Sequence, residues 1–191
     1  MRPSPSRAER VEAPTAGCSL EQFLAAVERR ALRLAELATG DREDGLDIVQ
    51  DAMVKLVQRY GHHDAQEWTP LFYRILQSKI RDWHRRNLVR NRLRVWLWGD
   101  DEEHSDQLAQ IPDAESSDPQ SQVQTERTLA TLEQALKALP LRQQQVFLLR
   151  AWEGLDVAQT AQAMGCSSGS VKTHYARALN KLRAILGEHW P

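Results

Sequence analysis

The chain has 191 residues, a formal net charge of −1 and only two cysteines, Cys18 and Cys166. That length admits one ordinary domain or two small ones, and two cysteines without CxxC spacing exclude a disulfide framework. No apolar run approaches the roughly 20 residues a membrane helix needs, so a cytoplasmic chain without membrane insertion is expected.

The near-neutral total hides segregation. Lys79, Arg81, Arg85, Arg86, Arg90, Arg92 and Arg94 crowd one stretch in which Asp82 is the sole acid, whereas Val95–Glu126 is rich in acids and has no Lys or Arg. A basic block beside an acidic block cancels in sum but not locally, so a polyanionic partner stays open.

Residues 1–18 are polar and Pro-rich with no hydrophobic segment, which predicts a disordered arm rather than a signal peptide. Ser19 with Gln22 reads as a capping box, and Phe23, Leu24, Val27, Ala31, Leu34 and Leu37 predict a helix over 20–38, ending before Gly40. Asp41 or Asp44 starts the next helix, with Leu46, Val49, Met53, Leu56 and Val57 as its apolar stripe and Tyr60-Gly61 as its end. HHDAQEWTP then reads as a loop, and Pro70 as a first-turn residue of a third helix running to about Arg92. Along that helix Phe72, Ile75, Leu76, Ile80 and Trp83 share one side; Arg74, Ser78, Arg81 and Arg85 share another, with Lys79 and Arg86 beside them.

From residue 98 to about 122 the chain is acidic, rich in Ser, Pro, Asp and Gln, and without periodicity, as a linker is. Helical patterning resumes with Leu129, Leu132, Leu136 and Leu139. Pro140 opens a further helix whose apolar contacts are Val146, Phe147, Leu149 and Trp152, ending at Gly154. Short helices over Val157–Met164 and Ser168–Leu186 follow. The predicted fold class is all-α: two small helical domains, 19–96 and 127–187, joined by an acidic flexible linker, 97–126.

The clearest local motif is GLDVAQTAQAMGCSSGSVKTHYARALNKL. Asp156 caps a short helix with Val157, Ala161 and Met164 inward. Gly165 suits a left-handed turn, and Ser167 or Ser168 caps a second helix with Val171, Tyr175, Ala178 and Leu182 inward. This is a helix-turn-helix pattern, whose second helix enters the major groove by its N-terminal part. Ser168, Ser170, Lys172, Thr173, His174 and Arg177 there offer hydroxyls, an imidazole and cations to phosphates and base edges. The plain alternative is a helical hairpin with a solvated polar face.

The segment LPLRQQQVFLLRAWEGLDVAQTAQAMGCSSGSVKTHYARALNKLR resembles the fourth region of bacterial sigma factors, and on its own also the LuxR-type regulators. The first half separates the two. DIVQDAMVKLVQRY is similar to the sigma second region, and LFYRILQSKIRDWHRR to that region's promoter-melting segment. Order and spacing match the extracytoplasmic-function class of the sigma-70 family. Four positions depart from the family pattern: Leu46, Ser78, Gln159 and Thr160. Ser78 replaces a usual Asn, which puts one DNA contact in doubt, and Thr160 is expected to loosen helix packing slightly.

The resemblance implies that 19–96 binds core RNA polymerase and the single-stranded −10 promoter element, and that 127–187 reads duplex −35 DNA. It implies that Asp47, Gln50 and Asp51 face the polymerase. The −10 strand would meet Trp68, Arg74, Ser78, Lys79, Arg81, His84, Arg85 and Arg86, with the loop 61–69 helping to hold a flipped base. A basic stripe tracks phosphates, and aromatic faces support unstacked bases. Trp83 is open between this role and core packing. The linker is open between an RNA mimic in the polymerase RNA path and a solubilising spacer. An anti-sigma factor is a candidate partner.

No catalytic constellation accompanies these residues, and a nuclease would need a carboxylate cluster that the basic helix lacks. His62, His63 and His84 have no Cys or carboxylate companions at ligand spacing, so neither metal nor cofactor is expected. Cys166 falls where an apolar core residue belongs, which favours packing over redox sensing.

Overall fold

The computed structural model describes residues 19–98 and 130–187, and all regular structure among them is helical. The predicted arm 1–18 and nearly all of the predicted linker lie outside the described residues.

Helix α1 spans Leu20–Thr39. The predicted capping box is present: the Ser19 hydroxyl accepts from the Gln22 amide at 3.2 Å, and the Gln22 side chain accepts from the Ser19 amide at 3.0 Å. Phe23, Val27, Ala31 and Leu34 bury one stripe, and Gly40 at φ 78° ends the helix in the left-handed region. Helix α2 spans Arg42–Tyr60, and Asp41, not Asp44, is its N-cap. Its buried stripe is Gly45, Ile48, Val49, Ala52 and Leu56. Leu46 and Val57, predicted inward, are 40% and 47% exposed. They lie past the edge of that stripe at about 100° per residue. Gly45 lets the two helices cross closely, since a Cβ there would sit 3.1 Å from the Glu36 amide nitrogen.

Helix α3 spans Ala65–Trp98, so it starts five residues before Pro70, inside what reads as a loop. A proline this near the start removes a single i→i−4 bond, and the ring itself is buried. Trp68 explains the early start. Its ring is 6% exposed, tilts against Phe23 at 5.8 Å, and its Nε1 donates to the Tyr60 carbonyl at 3.2 Å. The connection between α2 and α3 therefore shrinks to residues 61–64.

Helix α4 covers 130–137, α5 Leu141–Phe147, α6 Val157–Met164 and α7 Ser168–Leu186. Between α5 and α6, Leu148–Trp152 forms a π-helical turn. The α6–α7 pair is the predicted helix-turn-helix. Asp156 and Gln159 make a reciprocal capping box at 2.8 and 2.9 Å, Gly165 turns at φ 61°, and Ser167 caps α7 through the Ser170 amide at 3.1 Å. Thr160 is fully buried, and its hydroxyl donates to the Asp156 carbonyl at 2.7 Å. The departure there leaves no orphan polar atom.

The N-terminal helices α1–α3 and the C-terminal helices α4–α7 pack against each other. Helix α6 lies on α3. Gln144 donates its side-chain amide to the Leu37 carbonyl at 3.2 Å, and Arg33 pairs with Glu133 at 2.9 Å.

Candidate nucleic-acid interface

The first candidate surface is the start of α7. The Ser167 cap fixes the first turn, so Ser168, Lys172, Thr173 and Arg177 are exposed while Val171 and Ala178 hold the helix to the core. Ser170 and His174 are half-buried; the Ser170 hydroxyl bonds that of Ser167 at 2.9 Å, and Thr173 donates to the Gly169 carbonyl at 3.0 Å. Lys172 and Arg177 are thus exposed cations of this surface, Lys172 the nearer to a helix N-terminus that favours anions.

The second surface is α3. Arg74 and Arg85 are exposed and Ser78 is half-buried on one flank. Lys79 and Arg86, beside them on the helix, line a cleft against α2. At about 100° per residue they lie roughly a quarter-turn around the helix from Ser78 and Arg85. Trp68 lies in the core and offers no face to a base, a correction to its predicted role. The sequence could not reveal this, because an aromatic near a loop carries the same signal whether it faces in or out.

Lys79 and Arg86 join the predicted polymerase-facing residues. Asp47, Gln50 and Asp51 on α2 line one wall of a ≈ 540 Å³ cleft, and Lys79, Trp83 and Arg86 line the other. Lys79 Nζ bridges it to Asp51 Oδ2 at 2.6 Å. Trp83, left open by the sequence, is half-buried in this wall. Among the described residues no group of three or more His, Cys, Asp or Glu is arranged to hold a metal ion, and no helix is long and apolar enough to cross a membrane.

Residues 129–182 match the family model described as "Sigma-70, region 4". The RNA polymerase sigma-E factor of Streptomyces avermitilis is 31% identical over 166 residues, which cover 87% of this chain and 84% of that protein. The chain belongs to the extracytoplasmic-function sigma factors of RNA polymerase. A match running through both halves sets aside a LuxR-type regulator, which would share the helix-turn-helix alone. The sigma factor is also similar to SigM of Mycobacterium tuberculosis, at 28% identity over 95% of this chain and 85% of that protein. In fold it resembles the sigma factor RpoE of Bartonella quintana, solved in complex with the anti-sigma factor NepR, with TM-score 0.66 and 21% identity over 87% of this chain and 95% of that one.

Sequence reasoning missed a polar cluster at the seam between the halves of the sigma factor. Glu153, at the end of the π-helical turn, is 2% exposed. Its Oε2 accepts a short hydrogen bond from the Tyr73 hydroxyl and lies 3.2 Å from Arg30 Nη2, while Oε1 has no partner. Arg30 also donates to the Trp152 carbonyl at 2.8 Å. Burial raises the Glu153 pKa, against the hydrogen bond from Tyr73 and the charge of Arg30. Burial, then the Glu153 carboxylate, raises that of Tyr73, which stays a hydrogen-bond donor.

Two predicted DNA-binding residues border the same seam. Arg81 and His84 are half-buried, and burial lowers both pKa values, for Arg81 with help from the nearby Arg142 charge. Arg81 nevertheless remains a cation at physiological pH. His84 lines a ≈ 280 Å³ cavity with Ala38 of α1, Gly40 just after it, and Leu139 and Gln144 from the C-terminal half.

Proposed function

We propose that this sigma factor binds core RNA polymerase in the cytoplasm, directs it to specific promoters and helps to open them. The observation that carries this reading is the pairing of two kinds of basic surface on one chain. A capped recognition helix exposes Lys172, Thr173 and Arg177, and a long helix exposes Arg74 and Arg85 beside a carboxylate-bearing helix. The first suits duplex DNA, the second an extruded strand.

In this reading α7 reads the −35 duplex through Ser168, Ser170, Lys172, Thr173, His174 and Arg177. The flank of α3 bearing Arg74, Ser78, Arg81 and Arg85 follows the phosphates of the separated −10 strand. Asp47, Gln50 and Asp51 dock on the polymerase. Arg86 is already exposed to the strand, whereas Lys79 serves it after leaving Asp51; the exposed Lys79–Asp51 pair holds by about 0–1 kcal/mol, so this release is easy. The chain contributes binding energy and no catalytic group, and phosphodiester chemistry belongs to the polymerase. Two weak modules on one chain gain affinity through linkage once both engage. The likeness to a sigma factor solved with an anti-sigma factor supports an anti-sigma partner here too.

Reconstitution with core polymerase and a random promoter library tests this reading. Initiation from a defined set of promoters is expected, and failure to bind core removes the proposal. On a recovered promoter, Lys172→Ala should weaken duplex binding and reduce its salt slope by about 1. An unchanged slope would move the phosphate contact elsewhere.

A further inference from the structure

We propose that Thr173 specifies a thymine of the −35 element through its methyl group and not through its hydroxyl. The inference rests on the sigma-factor reading above and deepens it, because it assigns one base to one side chain of α7.

The start of α7 is held firmly enough to aim single atoms. Ser167 caps the helix through the Ser170 amide at 3.1 Å, and Val171 is 1% exposed in the core. Thr173 follows two residues later, about 200° around the helix, so it points away from that core. It is exposed, with exposed Lys172 beside it and exposed Arg177 one turn further on.

The chemistry of this face is narrower than its sequence suggests. A threonine can offer a hydroxyl or a methyl. The Thr173 hydroxyl donates its one proton to the Gly169 carbonyl at 3.0 Å, a turn back along the helix. β-Branching leaves few χ1 choices in a helix, and this bond to the backbone selects among them. With its proton committed, the hydroxyl cannot donate to the N7, O6 or O4 acceptors of the major groove. The oxygen is turned back onto the helix, and the methyl is what remains to face outward. Ser170 is withdrawn in a similar way, since its hydroxyl is engaged with that of Ser167 at 2.9 Å. Lys172 and Arg177 therefore supply charge to this face, and Thr173 supplies an apolar contact.

In the major groove a methyl has one good partner. Thymine alone carries a C5-methyl there, and apolar contact with it is a recurrent means of telling T·A from the other pairs. Cytosine has only a hydrogen at that position. Purine edges are polar, and a methyl pressed on them displaces water without returning a hydrogen bond.

The test uses the full chain with core polymerase and a promoter recovered from the random library. Each thymine of its −35 element is replaced in turn by uracil, which removes the C5-methyl and keeps the base pair. One replacement should weaken holoenzyme binding about fourfold, the worth of one buried methyl. Thr173→Ser keeps the hydroxyl and loses the methyl, so it should bind thymine and uracil at that position alike. Thr173→Val keeps a methyl and loses the hydroxyl, so it should retain the preference for thymine. The proposal is overturned if no thymine responds to uracil, or if Thr173→Ser keeps the preference, since another group would then be the reader. Loss of the preference in both variants would also overturn it, because the methyl alone would not suffice. A wild-type protein that initiates nowhere with core sinks the sigma reading and this inference with it. One that initiates from recovered promoters and ignores the methyl sinks this inference alone.

Discussion

At the scale of single residues, Glu153 and His84 make opposite demands on pH. The Glu153 carboxyl is raised above its ordinary 4.5 by burial, so it is a weaker acid in the folded protein than in the unfolded chain. Its contribution to stability is full below 4.5 and is lost as pH rises through the raised value. His84 is lowered from 6.5 by burial, so the folded protein prefers it neutral. Its contribution is present above 6.5 and is lost as pH falls through the lowered value. Carboxyl and imidazole NMR titrations of the intact protein should place Glu153 above 4.5 and His84 below 6.5. Tyr73→Phe should push Glu153 higher, since that hydrogen bond works against burial. A Glu153 that titrates like a solvated glutamate would mean that the seam is open to water.

At the scale of elements, short helices depend on their ends. Helix α6 has eight residues, below the length at which an isolated helix is stable, so its capping box and left-handed Gly165 matter in proportion. Asp156→Ala removes a cap worth about 1 kcal/mol, and Gly165→Ala forces an L side chain into φ 61° at a cost of about 1–2 kcal/mol. Urea unfolding should show both losses. A Gly165→Ala protein as stable as wild type would mean that the turn relaxes. Such ends are legible in sequence because their chemistry is local: Ser19 with Gln22, Asp156 with Gln159 and Gly165 all signal within three or four residues. The π-helical turn at Leu148–Trp152 and the early start of α3 are not legible, because tertiary partners set them. Trp68 is pulled into the core by Phe23, more than forty positions earlier. Apolar spacing alone also fails to say which edge of a stripe faces out, as Leu46 and Val57 show on α2. Within the candidate site, the cations of α7 are readable from their spacing. The capture of Lys79 by Asp51 is not, because it joins residues from two separate motifs.

At the scale of the whole molecule, the two halves share one continuous core, in which Phe72 and Leu76 of the first half and Leu149 and Met164 of the second belong to the same cluster. Two domains that bury surface only within themselves unfold independently, whereas a shared core couples their melting. The C-terminal half is the smaller, with described residues 130–187, and a domain that small buries too little surface to be robust alone. Docking on α1 and α3 should therefore raise its melting temperature. Differential scanning calorimetry of the full chain should give a single endotherm whose van't Hoff and calorimetric enthalpies agree. In Arg30→Glu the endotherm should split, with the lower transition belonging to α4–α7. The charge-reversed pair, Arg30→Glu with Glu153→Arg, should merge the two again. A wild-type profile already split in two would show that the seam transmits no stability between the halves. Glu153, Tyr73 and Arg30 would then be a contact between domains that melt apart.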